Sequence, residues 1–579
     1  AFFYYKFRLE GVTNENEQTI YKIRLLPIRQ HDPVFRGYIY IAEDRWRVQS
    51  VDFIVTKDAI IEYVDTLRIK QIILPVKENL WMPVSLHLSF NFKAFGFEGN
   101  GYFSANYMNY KFNNNFTRKT FKGDVISIKK EANKQPDEYW EKVRPIPLTP
   151  EERVDYIRKD SIFQIKETDV YKDSIDAVNN EFSLSKLFLT GLTIQKRKHR
   201  TSYFFRPLIE TVGYNTVQGW NTGIYLNYIK RLDDYKRIIV SPYLNYGVSD
   251  NKLNASILSS YSYNRQYFAI ADVGAGKTLV QYNPSNPVGI FSNTISSLFY
   301  ERNYLKLYDK TFFNLNHQYE ILNGLRTNFS LEFASRSAVE NSSSYLVRNF
   351  EDRIYTSNIP FIFDEYLTDN EATILPFIKH RILSTELKLT YIPGAKYYSR
   401  PSGKYLMNGN LPTFHFNIKK ALPVSSVEAD YLFAEAGVSQ KINLRNFGST
   451  DLLFNAGTFL DKKNIIFPDW KHFNGNRMFL TQRNLNQFRL LDYYSYSTIN
   501  PFIEFHAEHQ FAGYFFNKIP GIRKLKLTEV IGFHAVSTEL QKPFTEISIG
   551  AEKIGMRLEY SFSPAKGMKS GAFRMMMPF

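Results

Sequence analysis

Through most of this chain, apolar and polar positions alternate one by one. At the C-terminal end Met556, Leu558, Tyr560 and Phe562 point one way, and Arg557, Glu559, Ser561 and Ser563 the other. After a turn around Pro564 to Lys569, the pattern returns with Phe573, Met575, Met577 and Phe579. A side-chain period of two is that of a β-strand, so this tail reads as a hairpin with one apolar and one polar face. The same alternation holds upstream. Leu325, Thr327, Phe329, Leu331 and Phe333 oppose Arg326, Asn328, Ser330, Glu332 and Arg336. Ile238, Val240, Leu244 and Tyr246 oppose Arg237, Ser241, Tyr243 and Asn245, while Phe414, Phe416 and Ile418 oppose His415, Asn417 and Lys419. One charged and amide-rich face on strand after strand predicts a barrel with a polar lumen and an apolar wall turned to lipid.

About 16 strands are expected. They fall near 219–230, 236–248, 252–264, 266–277, 295–308, 310–322, 324–336, 376–396, 411–420, 427–440, 444–459, 496–512, 522–537, 543–552, 554–563 and 571–579. An even number puts both barrel ends on one side, taken as periplasmic, and the long connections 337–375 and 460–495 on the other. The stretch 278–294, with Pro284 and Pro287, is too long for a periplasmic turn and fits this register poorly.

Two further zones precede the barrel, which is assigned to 199–579. Residues 1–115 read as a soluble β-rich periplasmic domain, with strands at Phe2 to Leu9, Gly37 to Ala42, Trp46 to Thr56, Ile60 to Leu74, Trp81 to Phe92 and Gly101 to Phe112. Apolar residues on both faces suggest a sheet packed on another layer. Residues 116–198 read as a short helical linker. Pro136 to Arg144 looks helical, and Thr149-Pro150-Glu151-Glu152 has the form of a helix start, with Thr149 as cap and Glu152 closing a capping box. A third helix is expected from Ser183 to Thr190, with Leu184, Leu187 and Phe188 on one face, either at the inner membrane surface or packed on the sheet. The fold class is therefore all-β dominated: a transmembrane antiparallel barrel behind a β-rich domain. Ala1 already lies next to a strand, so a secretory signal is expected upstream.

Composition sharpens this picture. Lys and Arg number 73 against 57 Asp and Glu, a net charge of +16. Such an excess suits nucleic acid, but aromatic residues at 16% of the chain suit strands and membrane-interface girdles better. The charge is therefore read against anionic lipid and lipopolysaccharide, or as a solvated surface, and no nucleic acid is expected. Cysteine is absent, which excludes disulfides and thiolate metal sites. No run of ~18 apolar residues occurs, so no spanning helix is expected.

Little of the chain has the form of a catalytic or cofactor motif. Gly274-Ala275-Gly276-Lys277-Thr278 resembles a phosphate loop, but position 271 is Ala, and Pro284 and Pro287 break the helix that should follow. His506 and His509 are three apart, hence on opposite faces of a strand and no chelate. Glu504, His506 and Glu508 share a face with Gln510. With Arg557 and Glu559 they are the candidate lumenal polar network, as a hydrogen-bond and ion-pair array or as a divalent-ion or catalytic site. No Gly-x-Ser-x-Gly elbow is present. No catalytic residue, metal or cofactor is assigned, and the chain is not expected to be an enzyme. Lys196, Arg197, Lys198 and Arg200 form a basic cluster at the membrane rim, placed either to meet anionic headgroups or to be solvated.

The block Tyr214-Asn215-Thr216-Val217-Gln218-Gly219-Trp220 resembles a Bacteroidota family of outer-membrane barrels of uncharacterised function, whose members often carry an N-terminal carboxypeptidase-regulatory-like domain. So do Tyr139-Trp140, Arg144 through Glu152, and Asn303-Tyr304-Leu305-Lys306-Leu307-Tyr308. More distantly, Gly555-Met556-Arg557-Leu558-Glu559-Tyr560 is similar to a late strand of the assembly-factor superfamily that includes BamA and TamA. The loop expected at 460–495 sits where that superfamily has an inward-folding loop, without its Arg-Gly-Phe/Tyr tip. The only such triplet, Arg36-Gly37-Tyr38, starts a strand of the N-terminal domain. The resemblance implies an outer-membrane protein working with other outer-membrane or periplasmic proteins in assembly or export. Solute transport and, more remotely, a barrel enzyme acting on lipid or peptide are the alternatives. It also implies that Phe573, Met575, Met577 and the terminal Phe579 form the C-terminal insertion signal.

Overall fold

The computed structural model describes the chain except residues 1, 16–17, 30–33, 44, 58–63, 78–79, 95, 113–114, 118–119, 121–122, 133, 145–146, 361–376, 408, 425–428, 566–570 and 578–579. It divides into two compact units: residues 1–122 with 136–147, and residues 123–135 with 148–579.

The first unit is an antiparallel meander in which each strand pairs with the next: β1 (Tyr5–Glu15), β2 (Gln18–Pro27), β3 (Arg36–Ala42), β4 (Arg47–Thr56), β5 (Val64–Lys77), β6 (Leu80–Ala94) and β7 (Phe97–Asn106). The expected strand start at 60–63 lies outside the described residues. Register gives each face its own chemistry. Phe53, Ile69, Leu88 and Phe103 stand side by side across four strands, as do Arg24, Tyr38, Asp52, Lys70 and His87 on the opposite face. On the polar face Arg68 and Asp52 pair at 2.7 Å. Apolar residues nonetheless stand on both faces, as expected from the sequence: Ile20 and Leu26 share the side of Arg24, Ile54 that of Asp52 and Ile72 that of Lys70.

The second unit opens with β8 (Ile126–Ser127); the short helix α1 (Asp137–Val143) belongs to the first. Helix α2 (Pro150–Glu167) starts as expected, because Thr149 Oγ1 accepts from the Glu152 amide and the Glu152 carboxylate accepts from the Thr149 amide. Helix α3 (Asp169–Asn179) follows. The expected helix at Ser183 to Thr190 contains a π-helical turn, Lys186–Thr190, that leaves Leu184 and Phe188 exposed.

The remaining strands are β9 (Leu192–Lys196), β10 (Thr201–Phe205), β11 (Gly213–Asn215), β12 (Gly219–Arg231), β13 (Arg237–Gly247), β14 (Lys252–Asn264), β15 (Ala269–Gln281), β16 (Leu307–Leu322), β17 (Leu325–Ala338) and β18 (His380–Tyr391). After the small hairpin β19 (Tyr397–Arg400) and β20 (Gly403–Leu406) come β21 (Thr413–Leu422), β22 (Asp430–Asn443), β23 (Ser449–Asn464) and β24 (Leu480–Gln482). The chain ends with β25 (Phe502–Gln510), β26 (Thr528–Thr538), β27 (Phe544–Lys553), β28 (Met556–Phe562) and β29 (Ala572–Met577). Their order is that of a closed antiparallel barrel. β10 and β11 both pair with β12, so they are two halves of one wall strand, interrupted at Arg206–Val212 by Pro207 and the single-turn helix α4 (Leu208–Thr211). Among the described residues the wall is then β10/β11, β12–β18, β21–β23 and β25–β29, sixteen strands, with the short β9 standing between β29 and β10 where the ring closes.

Two strand assignments change. The segment expected as a strand at 295–308 forms α5 (Ile290–Tyr300) and a loop, while the interrupted first strand was not foreseen. With the register corrected, 282–306 becomes a long loop at the same barrel end as 339–379 and 465–501, which removes the misfit around Pro284. The opposite end has tight turns such as Asn323-Gly324 and Ile554-Gly555, where both glycines take positive φ. Leu315, Phe329, Phe333, Phe416, Ile418 and Phe533 face outward and are exposed. Arg336, Ser384, Glu504, Arg557 and Glu559 face inward and are buried. No helix among the described residues is long and apolar enough to cross a membrane.

Candidate functional site

The lumen is occupied by the loop 465–501, held to the wall at two points. The first is Arg489, whose side chain is fully buried. Its Nε donates to Glu559 Oε1 at 2.5 Å on β28, and its Nη2 to Glu508 Oε1 at 2.6 Å on β25. The main-chain amides of Arg489 and Leu490 donate to the two oxygens of Glu546 on β27 at 2.5 and 2.8 Å. Arg574 Nε on β29 closes the circle on the Arg489 carbonyl at 2.8 Å. Arg557 bridges Glu508 and Glu552 at 2.9 and 3.0 Å. Guanidinium forks suit this role because each meets several carboxylates in fixed geometry.

The expected lumenal network is thus brought together: Glu504, His506, Glu508, Arg557 and Glu559 all line this side of the barrel. Glu504 Oε1 lies 3.0 Å from His506 Nε2, and His506 Nδ1 lies 2.8 Å from His534 Nδ1. Phe488 packs on His506, with ring centroids 4.8 Å apart. His509 faces the other way, 2.8 Å from Thr450 Oγ1. Among the described residues, no group of three or more His, Asp or Glu is placed to hold a metal ion.

The second anchor is Asp469. Its carboxylate accepts from Arg336 Nη1 at 2.9 Å, from Tyr431 Oη at 2.9 Å and from Lys419 Nζ at 3.3 Å. Between the anchors the loop also meets the last strand, because β24 runs parallel to β29 with Leu480 beside Met575 and Gln482 beside Met577.

Sequence reasoning missed Arg489 and Asp469; the partners of Asp469, Arg336 and Lys419, were read only as polar-face positions. The expected loop lacks an Arg-Gly-Phe/Tyr tip, yet it delivers an arginine to the lumen all the same. A signal was present: Glu504, Glu508, Glu546 and Glu559 all fall on inward positions, an acid excess that Arg557 and Arg574 do not balance.

The loop end is closed by packing. Val217, Val288, Leu305, Leu307 and Met478 form one buried cluster, and Tyr282, Tyr308, Phe467 and Tyr494 another. The Thr216 carbonyl accepts from the amides of Ser342 and Ser343 at 2.8 and 3.0 Å, tying the turn between β11 and β12 to the segment that follows β17.

At the other end, the basic cluster is internally paired. Arg197 pairs with Asp176, Lys198 with Asp169 at 3.2 Å, and Arg200 with Asp233 at 2.5 Å. Lys196 Nζ lies over the Tyr203 ring, 6.0 Å from its centroid. Phe573 on β29 is exposed and meets the Tyr560 ring at a tilt, centroids 4.9 Å apart, while Arg574 and Met576 point inward. Met575 and Met577 share the outward side, and Phe579 lies outside the described residues. Gly274 to Thr278 is the interior of β15, not a phosphate loop. A Cβ at Gly276 would come within 2.4 Å of Ser256 Cα, so this glycine serves close strand packing.

Two solved structures similar to this chain are CdiB from Acinetobacter baumannii and BamA from Haemophilus ducreyi lacking POTRA domains 1–3. CdiB has 10% identity and a TM-score of 0.31, with 63% of this chain and 57% of that one covered. BamA has 9% identity and a TM-score of 0.34, with 68% and 74% covered. The chain therefore spans somewhat over half the length of the CdiB structure. Among curated proteins none matches it. Family models match residues 1–110 and 185–551, so the chain belongs to the family of unknown function DUF5686, the second match being that family's C-terminal domain.

Proposed function

We propose that this protein is an outer-membrane barrel that acts within the machinery assembling or exporting outer-membrane or surface proteins, beside other envelope proteins. Its outward apolar wall and polar interior suit a bilayer. The sixteen-strand wall puts both of its ends at the tight-turn side, which is assigned to the periplasm with the N-terminal sheet domain. One observation carries the functional reading: the loop 465–501 is fixed inside the lumen by the buried Arg489 and Asp469. A loop held in this way narrows the path for a solute and favours a role carried by the barrel's surfaces and partners.

A second reading, gated passage of a small solute, rests on two lumenal cavities along β12–β18. One, of about 440 Å³, is bordered by Ser241, Tyr243 and Asn314. The other, of about 320 Å³, is bordered by Asp272, Glu332, Glu386 and Lys419. Planar-bilayer recording separates the readings. The assembly reading expects no stable large conductance from the intact protein, and a steady open channel would sink it. Purification from native membranes should then recover envelope-assembly or secretion proteins; recovery of the barrel alone argues for transport.

A further inference from the structure

A cavity of about 520 Å³ lies at the tight-turn end of the barrel. Its size falls within the usual range of ligand sites, ~300–1,000 Å³. Cations reach it from four separate segments: Lys130 after β8, Arg200 before β10, Arg231, Lys236 and Arg237 around the β12–β13 turn, and Arg265 between β14 and β15. Asp233 is the one acid among its described lining residues.

Register builds this crowding into the wall. Arg231 and Arg237 stand directly opposite each other as the last pair of the β12–β13 hairpin, and the Arg231 amide donates to the Arg200 carbonyl at 2.9 Å. Three arginines thus stand side by side along the rim, with neighbouring backbones about 5 Å apart. Arg237 shares the inward side of Ser241 and Asn245, so the row lies on the lumenal face. Like charges directly opposite each other destabilise a sheet, and an anion held between them reverses the sign.

The protein supplies little of that anion. Asp233 pairs with Arg200 at 2.5 Å, but both side chains are largely exposed, where such pairs count for little. Arg231, Lys236, Arg237 and Arg265 have no carboxylate partner among the described side chains. The neighbouring basic cluster differs, since Arg197 and Lys198 are held by Asp176 and Asp169. Main-chain bonds fix the frame of the cavity. The Leu232 amide donates to the Lys236 carbonyl at 2.9 Å, and Gln266 Nε2 to the Arg400 carbonyl at 2.5 Å.

This arrangement narrows the ligand. An extended acidic peptide sets one charge every ~7 Å along one side, which suits a track of cations rather than one space entered from four segments. A carboxylate fills a single guanidinium fork. A phosphate carries up to two charges and three oxygens on one centre, so two facing forks can grip it at once. We propose that this cavity binds a phosphate or diphosphate group, with Arg231 and Arg237 holding it from opposite strands and Lys236 and Arg265 closing around it. Free and lipid-borne phosphates share this chemistry, and the test separates them.

The test uses the full chain in detergent, titrated by calorimetry with inorganic pyrophosphate, dihexanoyl phosphatidate and a hexaglutamate peptide. Saturable binding of pyrophosphate or of the phosphatidate is expected, at least tenfold tighter than that of hexaglutamate. The tighter of the two phosphates tells whether the group is taken free or on a lipid. Arg231→Gln combined with Arg237→Gln should weaken binding at least tenfold. The thermal midpoint without ligand should stay level or rise, because two opposed like charges are gone. Lys196→Gln with Lys198→Gln, outside the cavity, should leave the affinity within twofold. No saturable binding of either phosphate would overturn the proposal. So would hexaglutamate binding as tightly, unchanged affinity in R231Q/R237Q, or an equal loss in K196Q/K198Q.

Discussion

Arg489 donates from Nε to Glu559 Oε1 at 2.5 Å, joining a loop that starts at the long-loop end of the barrel to its penultimate wall strand. Both side chains are essentially removed from solvent. The pair is therefore part of a buried cluster in which the charges offset each other, so removing one member leaves an excess of the opposite sign out of water.

Replacing Arg489 with Leu removes one of two cations from each of Glu508 and Glu559, leaving Arg557 Nη1 at 2.9 and 3.7 Å as their shared partner. The expected cost is ~3–5 kcal/mol, the range for breaking one side of a buried pair. Differential scanning calorimetry should show a lower midpoint, and limited proteolysis a new cut near 484–490. Main-chain contacts to Glu546 and the Asp469 anchor persist, so R489L alone should not open the barrel. A thermal midpoint equal to that of the unaltered protein would refute this account of the anchor.

Asp469→Asn tests whether the two anchors act together. The amide keeps the shape but removes the charge that Arg336 and Lys419 share. Release of the loop requires both attachments to fail, so their losses should not add. Each single variant should remain electrically silent in planar bilayers, and the double variant D469N/R489L should conduct. Conductance from the D469N protein alone would show that the second anchor carries the closure.

Why one anchor half-showed in the sequence and the other did not is a matter of periodicity. Strand residues declare their side through a period of two, so the spacing of Glu504, Glu508, Arg557 and Glu559 alone puts them on one face. Arg489 and Asp469 lie in a loop, where no period applies, and only the acid excess opposite hinted at a missing cation. Similar limits explain the strand errors. Thr294-Ile295-Ser296 and Leu298-Phe299-Tyr300 have strand-like composition, yet tertiary packing makes them helix α5, with Asn293 buried against Tyr214. The first wall strand was hidden because Pro207 and α4 split it into pieces of five and three residues. The capping box at Thr149 was legible because its four residues carry the whole signal locally.

The last strand separates membrane insertion from loop anchoring. Deleting Phe573 to Phe579 should abolish assembly into the outer membrane; normal membrane levels of the truncated protein would contradict this. Point variants divide the two roles by face. Phe573→Ser alters only the outward, lipid-side surface and should lower insertion while leaving R489-dependent protection of the loop intact. Arg574→Ala removes the 2.8 Å bond to the Arg489 carbonyl and should expose the loop to protease at near-normal membrane levels.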